Sequence, residues 1–424
     1  MSLLKVSGTK IVDEDGKEVI LRGAGLGGWM KISWLRIQIR EALAETIGQE
    51  NQISSLTSLL RLAFHPDDLN PRVLKISGFK HLDRVIDICA QHGIYTILDM
   101  HTAPGGQNTD WHCDSGTHQA SFWIHKDFQD RSIWLWEELA KHYAGNKWIA
   151  GYNPLNEPTD PTQTRVVEFY DRVYQAIRAI DPEHAIFFDG NTFASDFRTS
   201  EISTRSGVTL RIPFTIIRSP EQYIGNVEQK RRLKRSYEKK REWMDQRGLC
   251  VWNGEWGPVY ARKQYEGEAT DQINEIRYKV LKDQLEIYNH DRLSWSIWLY
   301  KDIGFQGMVY TSLDTPYMTL FSKFLAKKHR LAVDAWGADD QHVRRPQEFR
   351  NLYPYPVWTL SGRVGRLARN LLVSEFLVKE WASHFVGKSE EELDSIAASF
   401  KFDACLRRDG LNRILTNNAK AVSE

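Results

Sequence analysis

Two periods of apolar residues alternate along most of this chain, and they predict its elements. Short apolar runs of strand length lie at residues 59–64, 94–100, 149–153, 185–189, 249–253 and 293–299. Between them, residues 79–92, 132–143, 166–180 and 271–289 carry apolar positions three and four apart, the spacing of a helix with one buried face. Strands that alternate with helices imply a parallel sheet, because each helix returns the chain to the end where the next strand must start. At the start, Lys10-Ile-Val-Asp and Lys17-Glu-Val-Ile-Leu-Arg22 flank a turn at Asp15-Gly16, which predicts a β-hairpin able to plug one end of a barrel. Beyond about Asp340 strand signals stop. Residues 363–381 and 390–400 have helical periodicity, and Ser389 with Glu392 spells a capping box. Tyr353-Pro-Tyr-Pro356 marks a boundary region, since proline breaks either regular element. The expected division is residues 1–340, a barrel, and residues 341–424, a helical extension packed on it.

Length and charge narrow the function. A chain of 424 residues accommodates one large barrel with several added helices. Its 56 Lys and Arg against 55 Asp and Glu leave no global field to draw it to nucleic acid or an anionic membrane, so a neutral polar partner is expected. The opening residues lack the apolar core of a secretory signal and no stretch approaches a membrane span, which predicts a cytoplasmic protein, expected to be a monomer. Cys89, Cys113, Cys250 and Cys405 are scattered, and free thiols are expected.

Barrel chemistry sits at the C-terminal ends of strands, so polar residues that close apolar runs are the candidates. One run closes with Asn156-Glu157-Pro158, and another leads through Asn253-Gly254 to Glu255-Trp256. Two carboxylates on facing strands are what glycoside hydrolysis needs: one protonates the leaving oxygen while the other attacks the anomeric carbon. Either glutamate alone is equally well read as a structural ion-pair partner; together at strand ends they favour catalysis.

These motifs, with Asp99-Met-His101, Trp295-Ser-Ile-Trp298, residues 21–29 and residues 304–308, resemble glycoside hydrolase family five. The tail is similar to that of a fungal subgroup. The resemblance implies a (β/α)8 TIM barrel and a retaining mechanism, with Glu157 as acid/base and Glu255 as nucleophile, acting on a β-linked glucoside or glucan. It further implies that Arg61 holds the nucleophile ionised and that His101 donates to a sugar hydroxyl. Asn156 would contact the 2-hydroxyl, and Trp298 would floor the sugar. In their strand Ser294, Ser296 and Trp298 share one face, so small residues fill the barrel and the ring caps it. The loop after residue 104 is read as substrate-binding, with Gln107, Asn108, Asp110 and Trp111 meeting sugar hydroxyls and a sugar face. Trp123 and Trp256 are further candidates for stacking. No cofactor or metal is called for.

The chain departs from the family pattern in two places. Where a histidine and a tyrosine are expected at the sixth strand's end, residues 203–217 offer neither, and Tyr223 is a displaced phenol. Residues 38–60 are short for a helix and a complete second strand, and residues 64–68 read as a truncated connection. The barrel is therefore expected to be incomplete around strands 1–2 and 6, with reduced turnover. A non-catalytic carbohydrate-binding descendant is the second reading.

Three other signals compete less well. Gly23-Ala-Gly-Leu-Gly-Gly28 fits a dinucleotide fingerprint, but the hairpin before it and the helix-like residues 32–47 after it do not fit that unit. His101, His112, Cys113, His118 and His125 match no zinc spacing. Basic residues 228–241 read as the solvated face of a helix.

Overall fold

In a computed structural model, residues 2–26, 71–74, 76–109, 113, 119–197, 208–211, 223–330 and 374–421 are described. Seven parallel strands form one sheet: β3 (Arg22–Ala24), β4 (Thr96–Asp99), β5 (Ile149–Asn153), β6 (Ala185–Asp189), β7 (Val208–Arg211), β8 (Val251–Trp256) and β9 (Ser294–Ile297). Their spatial order is β3-β9-β8-β7-β6-β5-β4. The first strand therefore pairs with the last, Gly23 opposite Ser296, as in a sheet that curls round into a barrel. One gap is left, between β3 and β4. The second expected strand, residues 59–64, lies outside the described residues, as does Arg61. The sixth strand is present but only four residues long.

Helices α1 (Ser77–Gln91), α2 (Lys126–Tyr143), α3 (Arg165–Arg178), α4 (Val227–Asp245) and α5 (Thr270–His290) follow strands of this sheet. Period-two alternation sorts each strand between two cores. In β6, Ile186 and Phe188 join the outer core under the helices, while Ala185 and Phe187 join an inner cluster with Cys250 and Trp252. Leu4 and Ile11 of the N-terminal hairpin belong to that inner cluster, so the hairpin closes the bottom of the barrel. In β9, Trp295 and Ile297 face the outer core, and Ser294 and Ser296 face inward as expected.

The expected hairpin forms round the Asp15-Gly16 turn, where Val12 bridges Glu18, the Asp13 N–H donates to the Lys17 carbonyl and the Val19 N–H donates to the Ile11 carbonyl. It is not the whole N-terminal segment, because β1 (Lys5–Ser7) also pairs antiparallel with β2 (Lys10–Val12) through a turn at left-handed Gly8. Nor is the tail purely helical, because β12 (Cys405–Arg407) pairs antiparallel with β11 (Val309–Thr311), which lies beside β10 (Lys301–Asp302). The helices Ser374–Ser383 and Glu390–Ala398 appear where periodicity placed them, and the Ser389–Glu392 capping box is formed. A final helix, Asp409–Ala421, was not foreseen; its Leu411 and Leu415 join the main core.

Candidate active site

A β-bulge aims Glu255. Val251 and Trp256 both face the outer core, and Asn253 donates from its side-chain amide to the Tyr288 hydroxyl of α5. Residues 251 and 256 can share a face only if the alternation slips once, and the register of β8 against β9 shifts between Asn253 and Trp256. The slip leaves Glu255 on the side opposite Trp256, 7% exposed, with its carboxylate 3.8 Å from His101 Nδ1.

His101, just past β4, is the hub of the site. Its Nδ1 lies 2.9 Å from Asp99 Oδ2, and its Nε2 faces Asn156 Nδ2 at 3.4 Å. Its ring stacks on Trp298, with centroids 5.2 Å apart and planes 9° from parallel. With two carboxylates at Nδ1, the ring hydrogen belongs there, and Nε2 is left to accept from Asn156. Residues from the ends of β4, β5, β8 and β9 thus meet around one imidazole, and the neighbour of Asn156 is Glu157.

Glu157 is 8% exposed and left-handed, with φ +45°. That conformation is disfavoured for a side chain with a Cβ, so its surroundings must impose it. Its backbone N–H donates to Asp189 Oδ2 at 2.8 Å, and its carbonyl accepts from Asn108 Nδ2 at 2.9 Å.

Trp298 rests on Gly25, the second glycine of the Gly23–Gly28 run. A Cβ on Gly25 would lie 2.6 Å from the Trp298 ring, so this glycine serves an aromatic contact within the barrel, where the fingerprint reading required a pyrophosphate. The peptide bond after Trp298 is cis.

Four expected contacts are corrected. Gln107 and Asn108 are fully buried. Gln107 accepts from the Ala103 N–H and donates to the carbonyls of His101 and Asn156, which leaves nothing directed at a sugar. Asn108 holds Glu157 from behind. Trp256 is fully buried, edge-on to Trp295 and Tyr288. Trp123 is buried too, and its Nε1 donates to the Gln107 carbonyl. Asp110 and Trp111 lie outside the described residues, as do His112 and His118. Tyr223 is remote in bonding from the nucleophile position, since its hydroxyl donates to Asp283 of α5 at 2.6 Å. Asp99, Asp189 and Asn191 were missed, although Asp99 and Asp189 close apolar runs in the same manner as Glu157. Among the described residues no group of His, Cys, Asp and Glu has the geometry of a metal site.

Residues 12–304 match the model of Cellulase (glycosyl hydrolase family 5). The chain belongs to this family. Family five members are glycoside hydrolases, so this chain is an enzyme acting on β-linked glycosides, and the sheet described above is seven-eighths of its barrel. A protein named Beta-xylosidase, from Phanerodontia chrysosporium, is 63% identical, with all of both chains covered. That alignment runs over 474 positions against 424 residues here, so the relative carries about 50 positions with no counterpart in this chain. Endoglucanase C of Acetivibrio thermocellus is 28% identical over 41% of this chain, which spans half of that relative's length. The structure titled endogalactoceramidase shares the fold, with a TM-score of 0.50, 17% identity, and coverage of 71% of this chain and 75% of that one.

Proposed function

We propose that this enzyme cleaves a β-linked glycoside by double displacement, with Glu255 as nucleophile and Glu157 as acid and then base. The observation that carries the reading is the convergence on His101 of Glu255 from one side and the Asn156-Glu157 segment from another. Glu255 attacks the anomeric carbon while Glu157 gives its proton to the departing oxygen, leaving a glycosyl ester on Glu255. Glu157, now a carboxylate, takes a proton from water, whose oxygen attacks the same carbon and frees Glu255 with configuration retained. Asn156 is assigned to the 2-hydroxyl and Trp298 to the floor under the sugar; His101, its one ring hydrogen turned to the carboxylates, orders the two. Arg61 is assigned to hold Glu255 ionised.

Three finer points belong to the same reading. The name of the 63% identical relative favours a β-xyloside over the β-glucoside expected from sequence. All four cysteines are free, which suits a reducing compartment and supports a cytoplasmic location. No described helix is long and apolar enough to cross a membrane. The division into a barrel of residues 1–340 and an extension of residues 341–424 is kept as part of the proposal.

A mechanism-based 2-fluoro glycoside tests the assignment. Wild-type protein should gain one sugar on the peptide containing Glu255, and Glu255→Ala should gain none. Label found on another carboxylate would overturn the assignment. Running xylosides beside glucosides identifies the sugar.

A further inference from the structure

We infer that Gln107, Asn108, Asp189 and Asn191 form a polar cradle whose purpose is to aim the Glu157 carboxyl, making them positioning residues for the acid/base step. The inference rests on the proposed role of Glu157.

The five residues from Asn156 to Asp160 have no ladder to satisfy their backbone, and the bonds they make come almost wholly from elsewhere. The Asn156 N–H donates to the Met100 carbonyl, and its own carbonyl accepts from Gln107 Nε2. Glu157 is held by Asp189 at its nitrogen and by Asn108 at its oxygen. The Pro158 carbonyl accepts from the Phe193 N–H, and the Thr159 N–H donates to the Gln107 carbonyl. Asn191 closes the series, its Oδ1 accepting from the Asp160 N–H and its Nδ2 donating to the Asp160 carbonyl. The four side chains are at most 3% exposed. Gln107 and Asn108 come from the loop after β4, Asp189 ends β6 and Asn191 follows it, on either side of the strand that leads to Glu157.

Backbone strain on both partners argues for a purpose beyond filling space. Glu157 is left-handed, and so are Thr192, Phe193 and Ala194 in the loop that grips it. Non-glycine residues stay in that region only where their surroundings over-determine them. Asp189 is itself fixed, because its other oxygen accepts from Asn153 Nδ2 at 3.2 Å and its carbonyl accepts from the Tyr170 hydroxyl at 2.9 Å. A released Glu157 backbone would turn toward a commoner φ and swing the carboxyl off the leaving oxygen.

Asp189→Asn and Asn108→Asp in the full chain test this with little change of shape. The first leaves an amide NH2 facing one of the two N–H groups that Asp189 now accepts from. The second sets a carboxylate oxygen against the Glu157 carbonyl. The readout is kcat/KM on two β-glycosides of the sugar that the wild type cleaves. One is a phenyl glycoside, whose leaving group has a pKa of about 10 and needs a proton; the other is a dinitrophenyl glycoside, whose leaving group needs none. Each variant should lose about 10- to 100-fold on the phenyl substrate and no more than about threefold on the dinitrophenyl one. Glu157→Ala is the reference and should show the same contrast at about 10²- to 10⁴-fold. Equal losses on both substrates, or none on either, would overturn the inference. If Glu157→Ala lacks the contrast, the role of Glu157 fails and the cradle's purpose fails with it. Should thermal melts show that Asp189→Asn does not fold, Asn108→Asp and Gln107→Glu decide the matter.

Discussion

Glu255 reaches the barrel mouth because β8 slips by one residue, and the same slip turns its neighbour Trp256 into the core. Sequence order alone put both beside the sugar, yet adjacent strand residues point to opposite faces, so one had to lose. That distinction is measurable. Trp256→Ala should cost about 3–5 kcal/mol of stability in denaturant titrations, as for other large core aromatics. Trp298→Ala should fold almost as well as the wild type and lose about three- to tenfold in kcat/KM, the worth of one ring stack. At Gly25, substitution by alanine would drive a methyl into the Trp298 ring. Displacement of that ring should lower kcat/KM by no more than its removal does, about three- to tenfold, and alter the tryptophan fluorescence. The glutamates and His101 were legible as polar ends of apolar runs. Gln107 and Asn108 were recognised as site residues with the wrong partner, because a loop amide has no periodicity to reveal whether it faces water or backbone.

At the scale of elements, the alternating periods located every described barrel strand except β3 and β7 and all barrel helices but α4 to within a few residues; the basic stretch marked α4. The short pieces escaped. A three-residue strand such as β12 is too brief to establish a period, and the Gly8 turn competes with the stronger Asp15-Gly16 signal. The packing also crosses the line drawn at residue 340: Phe321 and Met318 share a core with Leu377, Phe385 and Leu393. Arg408 reaches back to the carbonyls of Gly304 and Gly307 between the rings of Tyr260 and Tyr310. Below β5 and β6, Asp181 joins Tyr152 to His184, all three buried. Burial raises the Asp181 pKa, but the hydrogen bonds from His184 and Tyr152 outweigh it and hold the carboxyl below the usual range. A depressed carboxyl stabilises the fold above its unfolded value, about 3.9, and the gain is lost as pH falls through the lower folded value. Melts of wild type and Asp181→Asn should therefore differ most near pH 7 and draw together progressively as pH falls below about 4. A constant difference across that range would show that the carboxyl's charge is not what stabilises.

For the whole molecule, near-balanced charge suits an uncharged substrate, and Michaelis constants should vary little with salt. The comparison with the Phanerodontia relative bears on completeness, since about 50 of its positions are missing here. The sequence reads short before Arg61 and unusual through residues 203–217. Assayed side by side on the same xyloside, this chain should turn over about 10²-fold or more slowly than that relative, because strand six helps to form the active face. Equal rates would show that the missing positions do not serve catalysis. The β3–β9 pairing carries a further consequence for biogenesis. Residue 23 leaves the ribosome long before residue 296, and at roughly 5–20 residues per second the seam waits on the order of 15–55 s for its partner. Throughout that interval the nascent chain presents an unzipped edge, so chaperone dependence should concentrate late in translation.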